Sequence, residues 1–442
     1  MKRLALIAIL MAAPVLIAAR MAETGGNTTT FTSSAGPNAE VAEWRPIAGP
    51  SDGLPAPSAD DSASVQGLTV HEWGTFTSVA GPDGAAIDWL PAGGPTDLPC
   101  FVSVLGGGLP NAKVSLDITQ RGGRSSVAKV RMETPVLYFY SPEAETVNVK
   151  VSFPHGLITE WYPPAATAPN ANNALKTFPD VTGAIEWSNV KVMPGATESY
   201  PYEDAPSHYY AARRTSSAPL QAGNQFEKFL FYRGIASFTP PLAAKVDGPK
   251  VEVTNLGTEQ IPAVVFFENR GGKIRYRISR NLDSTVEITR LLKVNTFASL
   301  QKDMEELLRS QGMFALEARA MVDTWKDTWF EPGTRIFYIV PSRSVDSILP
   351  LEVTPMPIGV ARAFVGRMEV ITPETQEEVQ QAIAAGDRAT LATYGRFLEP
   401  IVNSFLGQRL SESDQAKAAD FIASLHKDYV ASAMACSKSR SW

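Results

Sequence analysis

From Leu68 to about Leu292 the chain is written in short runs of β-branched and aromatic residues divided by Pro, Gly and Asn, the texture of strands joined by tight turns. Val147, Val149 and Val151 alternate with Asn148, Lys150 and Ser152, and Ile274, Tyr276 and Ile278 alternate with Lys273, Arg275 and Arg277. A period of two sends one set of side chains to a core and the other to water, so both runs read as half-buried antiparallel strands. The same texture predicts strands over 69–78, 129–140, 146–153, 157–162, 185–192, 229–237, 250–255, 263–268 and 273–279. Many strands without intervening helices predict a sandwich-like antiparallel body rather than a parallel α/β sheet. The stretch 243–281 reads either as a small sandwich-like unit or as more strands of that body.

The period then changes. Leu300, Met304, Leu307 and Leu308, and then Ala318, Met321, Trp325 and Trp329, recur at helical spacing. Strands are predicted over 335–340, 350–353 and 363–371. Thr372 and Pro373 form an N-cap and first helical position, and Gly386 a stop. Helices over 388–406, kinked or divided by Pro400, and over 412–434 follow. The fold class is therefore α+β: a β-rich body over 68–292 and a mixed helix and strand region over 293–436.

Ahead of these lie two segments without periodic structure. Lys2 and Arg3 precede an apolar run from Leu4 to Ala19, which reads as a signal peptide ending near residue 22. The run is short for a membrane span, and no other segment calls for one; an uncleaved N-terminal anchor is the alternative. Residues 23–67, rich in Ser, Thr, Gly, Pro, Ala and Asp, read as a disordered tether. The expected location is periplasmic or extracellular.

Charge narrows the partners. The 442 residues carry a formal charge of -6, which becomes -9 without Lys2, Arg3 and Arg20, so nucleic-acid binding is not expected. The chain has two cysteines, Cys100 and Cys436, which can pair in an oxidising compartment or remain separate thiols. No CxxC, Walker loop, Rossmann glycine pattern, GxSxG elbow or HExxH is present, and the sequence leaves any cofactor unknown.

Four of the eight tryptophans, Trp44, Trp73, Trp161 and Trp187, directly follow a glutamate. On a strand such a pair sets an aromatic on one face and a carboxylate on the other. Trp44 falls in the tether and Trp187 in an ordinary strand, whereas Trp73 and Trp161 have a histidine nearby. Three uses follow. Glu72 and Glu160 could be the carboxylate pair of a glycoside hydrolase, which needs them facing across a groove. Trp73, Trp161 and Tyr162 could stack sugar rings in a carbohydrate-binding or other ligand-binding protein. His71 and His155 could begin a metal site, given a third ligand. Core packing and solvated glutamates account for the same residues more simply. Lys273, Arg275 and Arg277 make a basic stripe that would suit an anionic glycan or lipid head group, or merely a solvated face.

The segments His71-Glu72-Trp73-Gly74-Thr75-Phe76 and Arg131-Met132-Glu133-Thr134-Pro135-Val136, with 153–163 and 321–341, resemble a group of exported bacterial proteins without an assigned activity. The resemblance spans most of the chain beyond the tether. It implies a bacterial exported protein and carries no fold, activity or catalytic residue. The expected role is an exported envelope protein that binds a glycan or another envelope component through its aromatic residues. A hydrolase and a structural or assembly protein, binding a partner through its C-terminal helices, are the alternatives.

Overall fold

The computed structural model describes residues 65–90, 98–105, 128–170, 178–204, 207–406 and 410–439, excluding the side chains of 426 and 429–439. The expected signal peptide, nearly all of the tether, Trp44 and the Cys436 side chain lie outside the described residues; Cys100 is disulfide-bonded. Ten strands open the fold: β1 (Thr69–Ala80), β2 (Ser103–Val104), β3 (Val130–Tyr140), β4 (Glu145–Pro154), β5 (Gly156–Tyr162), β6 (Ala166–Ala168), β7 (Thr182–Val192), β8 (Leu220–Ala222), β9 (Gln225–Glu227) and β10 (Leu230–Ala236). Then come β11 (Leu242–Asp247), β12 (Lys250–Asn255), β13 (Ile261–Arg270), β14 (Lys273–Leu282) and β15 (Thr285–Thr289). Helices α1 (Phe297–Arg309) and α2 (Ala315–Trp329) lead to β16 (Gly333–Ile339), α3 (Ser342–Ile348), β17 (Leu351–Thr354) and β18 (Gly359–Val370). Helices α4 (Pro373–Ala385), α5 (Arg388–Thr393), α6 (Leu398–Asn403) and α7 (Glu412–Ser439) complete the described elements.

The molecule is α+β, and fifteen strands join in one mixed sheet whose main path runs β14-β13-β16-β18-β1-β3-β10-β5-β7-β4-β17. Most pairs are antiparallel, as the alternation predicts. The long pair β1 and β18 is parallel, with Thr69 opposite Gly359 and Ala80 opposite Val370. Both strands are buried on both faces over most of their length, the setting parallel pairs require. Because β18 is central and β16 and β17 belong to the same sheet, the expected boundary at 292/293 does not separate two regions of the sheet. Likewise 243–281 is shared: β11 and β12 join β15 in a separate three-stranded sheet, while β13 and β14 belong to the large one.

The large sheet is rolled. β17 and β18 stand seven positions apart along the path, about 34 Å if the sheet were flat. Residues of both nevertheless line one cleft, so the segment from β18 round to β17 curls back on itself. Its inner face carries Val70, Phe76, Leu137, Phe139, Val149, Val151, Trp187, Tyr232 and Phe364 in one buried cluster. Its outer face, with Trp73, Val136, Tyr138, Phe231, Phe267 and Phe337, is covered by α1 and α2, and a further cluster lies under the C-terminal helices. Gly366 permits a close approach inside this packing, since a Cβ there would lie 2.0 Å from the ring of Tyr338, its partner on β16.

Cap chemistry sets the helix ends. Thr372 Oγ1 accepts from the Thr375 amide, Pro373 starts α4, and Gly386 ends it at φ +70°. The predicted helix over 388–406 is divided between Thr393 and Leu398, where Gly395 takes φ +48°, rather than at Pro400. Pro400 falls in the first turn of α6, where its missing N–H costs no hydrogen bond.

Candidate functional site

The residues singled out from the sequence do not converge. Glu72 is fully buried on the inner face, where Tyr232 donates its hydroxyl to Oε1 at 2.6 Å and Arg362 donates Nε to Oε2 at 2.7 Å. Arg362 Nη1 continues to Asp346 Oδ1 at 2.9 Å. Burial alone would push this guanidinium down, but the Glu72 carboxylate, with Tyr232 and Asp346, carries it above its ordinary value. Glu160 is opposite Arg233 on β10, one residue on from Tyr232. Arg233 sits on the outer face, 6.0 Å from the Trp325 ring of α2, so Glu160 and Glu72 occupy opposite faces of the sheet. The hydrolase pairing needs both carboxyls on one groove, and alternation along β10 forbids it.

The aromatic platform is likewise spent on packing. Trp73 is fully buried against Tyr138, and Trp161 lies opposite Tyr232 in the inner core. Tyr162 is buried edge-on to Phe101, with its hydroxyl donated to Gln225 Oε1 at 2.8 Å. Trp187, from the pair set aside, is buried and donates its indole N–H to the Pro163 carbonyl.

His71 and His155 sit at opposite ends of the β1-β3-β10-β5 strands, roughly 30 Å apart by strand spacing and rise if the sheet were flat. The His71 ring Nδ1 is 2.8 Å from Glu317 Oε2, and the same carboxylate accepts from the Tyr140 hydroxyl and the Phe314 amide. This joins β1 to the start of α2. His155 is exposed in the β4–β5 turn at φ +53°. Among the described residues no three His, Cys, Asp or Glu side chains are placed to hold a metal.

Two charged constellations were not legible as such in the sequence. On the outer face Arg335 and Arg367 lie under the end of α2: Arg335 donates to the Glu331 and Pro332 carbonyls, and Arg367 to the Thr328 carbonyl and Glu331. Buried Glu369 neutralises part of this charge through Arg335 Nε at 2.8 Å. Burial first, then the neighbouring Arg335, depresses Arg367 to about 10. These arginines satisfy the carbonyls and the negative end of the helix dipole, which gives them a structural task.

The second constellation lines an open cleft of about 870 Å³ between the small sheet, β13, β14 and the start of α4. Arg270, Arg275, Arg290 and Lys293 face Glu268 and Glu374 there, so cations exceed acids by two. The pairing is uneven. Arg290 grips Glu374 through both Nη atoms, at 3.2 and 2.8 Å, and reaches Glu268 Oε1 at 3.1 Å. Those hydrogen bonds hold the Glu374 carboxyl down to about 2. Arg270 donates Nε to Glu268 Oε1 at 3.2 Å and Nη2 to Thr372 Oγ1 at 2.8 Å. Both acids are thereby engaged. Arg275 donates only Nε, to the Leu292 carbonyl at 3.2 Å, and neither it nor Lys293 makes an ion pair among the described residues. Arg275 was read from the sequence as one member of a stripe. Its neighbours Lys273 and Arg277 are exposed on the same edge strand, whereas Arg275 is half-buried and turned into the cleft. The arrangement can hold an anion: two cations anchored by acids shape the wall, and two more have hydrogen-bonding capacity to spare.

No family model matches the chain, and no curated protein matches it. Among solved structures, the yeast delta-COP-I mu-homology domain aligns over 69% of this chain and 97% of its own, at 8% identity and a TM-score of 0.27. The same domain complexed with Dsl1 WxWxV peptide aligns over 69% and 98%, at 8% identity and a TM-score of 0.26. A likeness this slight has no bearing on function.

Proposed function

We propose that the chain is an exported envelope protein that binds an acidic glycan in the Arg275–Lys293 cleft, its tryptophans serving as core. Export rests on the charged and apolar N-terminal segment and on the resemblance drawn from the His71–Phe76 region. The observation that carries the binding role is the excess of unpaired cation in a cleft of ligand-binding size on a protein of net charge -6. A bidentate guanidinium suits the carboxylate of a uronic acid or a phosphate substituent. Lys273 and Arg277 extend the positive field along β14, so an extended polymer would meet charge beyond the cleft as well. No hydrolase is advanced, because Glu72 is consumed by Arg362 and Tyr232 while Glu160 lies on the opposite face.

The test compares acidic and neutral glycans of matched backbone for binding to the folded protein at low and moderate salt. Acidic chains should bind and weaken with ionic strength, and neutral ones should not. The Arg275→Glu/Lys293→Glu variant should lose binding roughly a hundredfold, at about 1 kcal/mol or more for each contact removed and further repulsion from each reversal. Equal binding of neutral chains, or undiminished binding by a folded double variant, would overturn the proposal.

A further inference from the structure

The geometry points to a second, independent site: we propose that the free edge of β17, with the cleft beside it, docks an extended basic peptide by strand addition. β17 is the last strand on the main path and, among the described residues, pairs only with β4. The adjoining cleft, about 530 Å³, is lined by Pro350, Leu351, Glu352, Val353 and Thr354 in succession, and across from them by Val360 and Arg362 of β18. Successive strand side chains point to opposite faces, so five consecutive residues can line one cleft only where it runs along the strand's edge.

The ladder shows which backbone groups that edge presents. Ser152 N–H donates to the Pro350 carbonyl at 2.9 Å, making Pro350 and Ser152 a hydrogen-bonded pair. In an antiparallel register, with Leu351 opposite Val151, bonded pairs alternate, so Glu352 and Thr354 face β4 while Leu351 and Val353 turn their N–H and C=O groups outward. Two residues with outward amides accept one short strand. Pro350, Pro355 and Pro357 bracket them, which keeps the edge too short for indiscriminate pairing.

Side chains define the occupant. Leu351, Val353, Met356 and Val360 form apolar walls, with Met356 68% exposed at the mouth. Arg362, on the floor, is already held by Glu72 and Asp346. The charged groups toward the rim are carboxylates: Asp346, 30% exposed and holding Arg362 through Oδ1, and Glu352, 64% exposed and touched by Lys150 from β4. An incoming strand with alternating apolar and basic residues would place the first set on the walls and the second beside these acids.

The probe is the capped peptide Val-Lys-Val-Lys-Val-Lys, with Val-Glu-Val-Glu-Val-Glu and a version of the lysine peptide N-methylated at alternate residues as comparisons. The lysine peptide should slow hydrogen exchange at the Leu351 and Val353 amides at least fivefold and bind at least tenfold tighter than either comparison. Val353→Pro removes one outward N–H without touching the β4 ladder and should cost tenfold in binding. Glu352→Lys should narrow the preference for lysine over glutamate. Absence of protection at Leu351 and Val353, or equal binding of the N-methylated peptide, would overturn the proposal without requiring any protein variant to fold.

Discussion

Replacing Glu72 by alanine tests whether the most conspicuous sequence motif is structural. The side chain is fully buried, and Arg362 beside it is 4% exposed, so removing the carboxylate strands a guanidinium that keeps only the partly exposed Asp346. It also takes the acceptor from the Tyr232 hydroxyl. Breaking one partner of a buried pair costs about 3–5 kcal/mol, and an orphaned buried hydroxyl about 1–3. Asp346 and entering water relieve part of both, which sets the expected loss at about 4 kcal/mol. Glu72→Gln keeps an acceptor for Tyr232 but not the charge and should lose about 3 kcal/mol. Glu72→Met/Arg362→Met removes both ions and should return to within about 2 kcal/mol of the parent. Urea unfolding of the parent, Glu72→Met, Arg362→Met and the double variant gives the coupling energy directly, expected at 2 kcal/mol or more by the same reasoning, about the upper range for residues in contact. If Glu72→Ala unfolds within about 1 kcal/mol of the parent, or the two single effects simply add, the carboxylate is not holding Arg362 and its burial needs another reason.

Two further outcomes follow from the packing and the cleft. Gly366→Ala should destabilise by about 3 kcal/mol, because the new methyl would lie 2.0 Å from the Tyr338 ring; pairing it with Tyr338→Leu should recover much of the loss, and an unaltered melting temperature in the single variant would contradict the packing. Glu374 falls from an ordinary 4.5 to about 2 in the folded protein, so its stabilisation is full above about pH 4.5 and disappears as pH drops through 2. Its side chain is 52% exposed, so solvent screening limits the effect to about 1 kcal/mol. The stability difference between parent and Glu374→Gln should shrink on acidification from pH 6 to 2.5; a constant difference would contradict the pairing.

Local pattern was legible wherever it was repeated. The alternation of Val147, Val149 and Val151 became a strand with those three buried, and the stripe of Met321, Trp325 and Trp329 became the core face of α2. The histidines and glutamates misled for a physical reason. A carboxylate's neighbours decide whether it is catalytic or structural, and Glu72 meets Tyr232 and Arg362 across 160 and 290 residues of chain. The parallel pairing of β1 with β18 is equally long-range, so the division at 292/293 drawn from texture could not anticipate it.

The four Glu-Trp pairs illustrate the limit. By itself the sequence determined most of the longer strands and helices, where α4 is capped, and that the chain is acidic, because propensity, period and charge are properties of neighbouring residues, whereas short elements such as β8, β9 and α3 went unread. Only the tertiary structure decided that Glu72 and Glu160 lie on opposite faces, that Arg275 turns into a cleft while Lys273 and Arg277 stay outside, and that β17 is the last strand of the sheet among the described residues. Those outcomes depend on strand order and curl, which arise from burying distant apolar surfaces together and leave no mark on any short stretch of sequence.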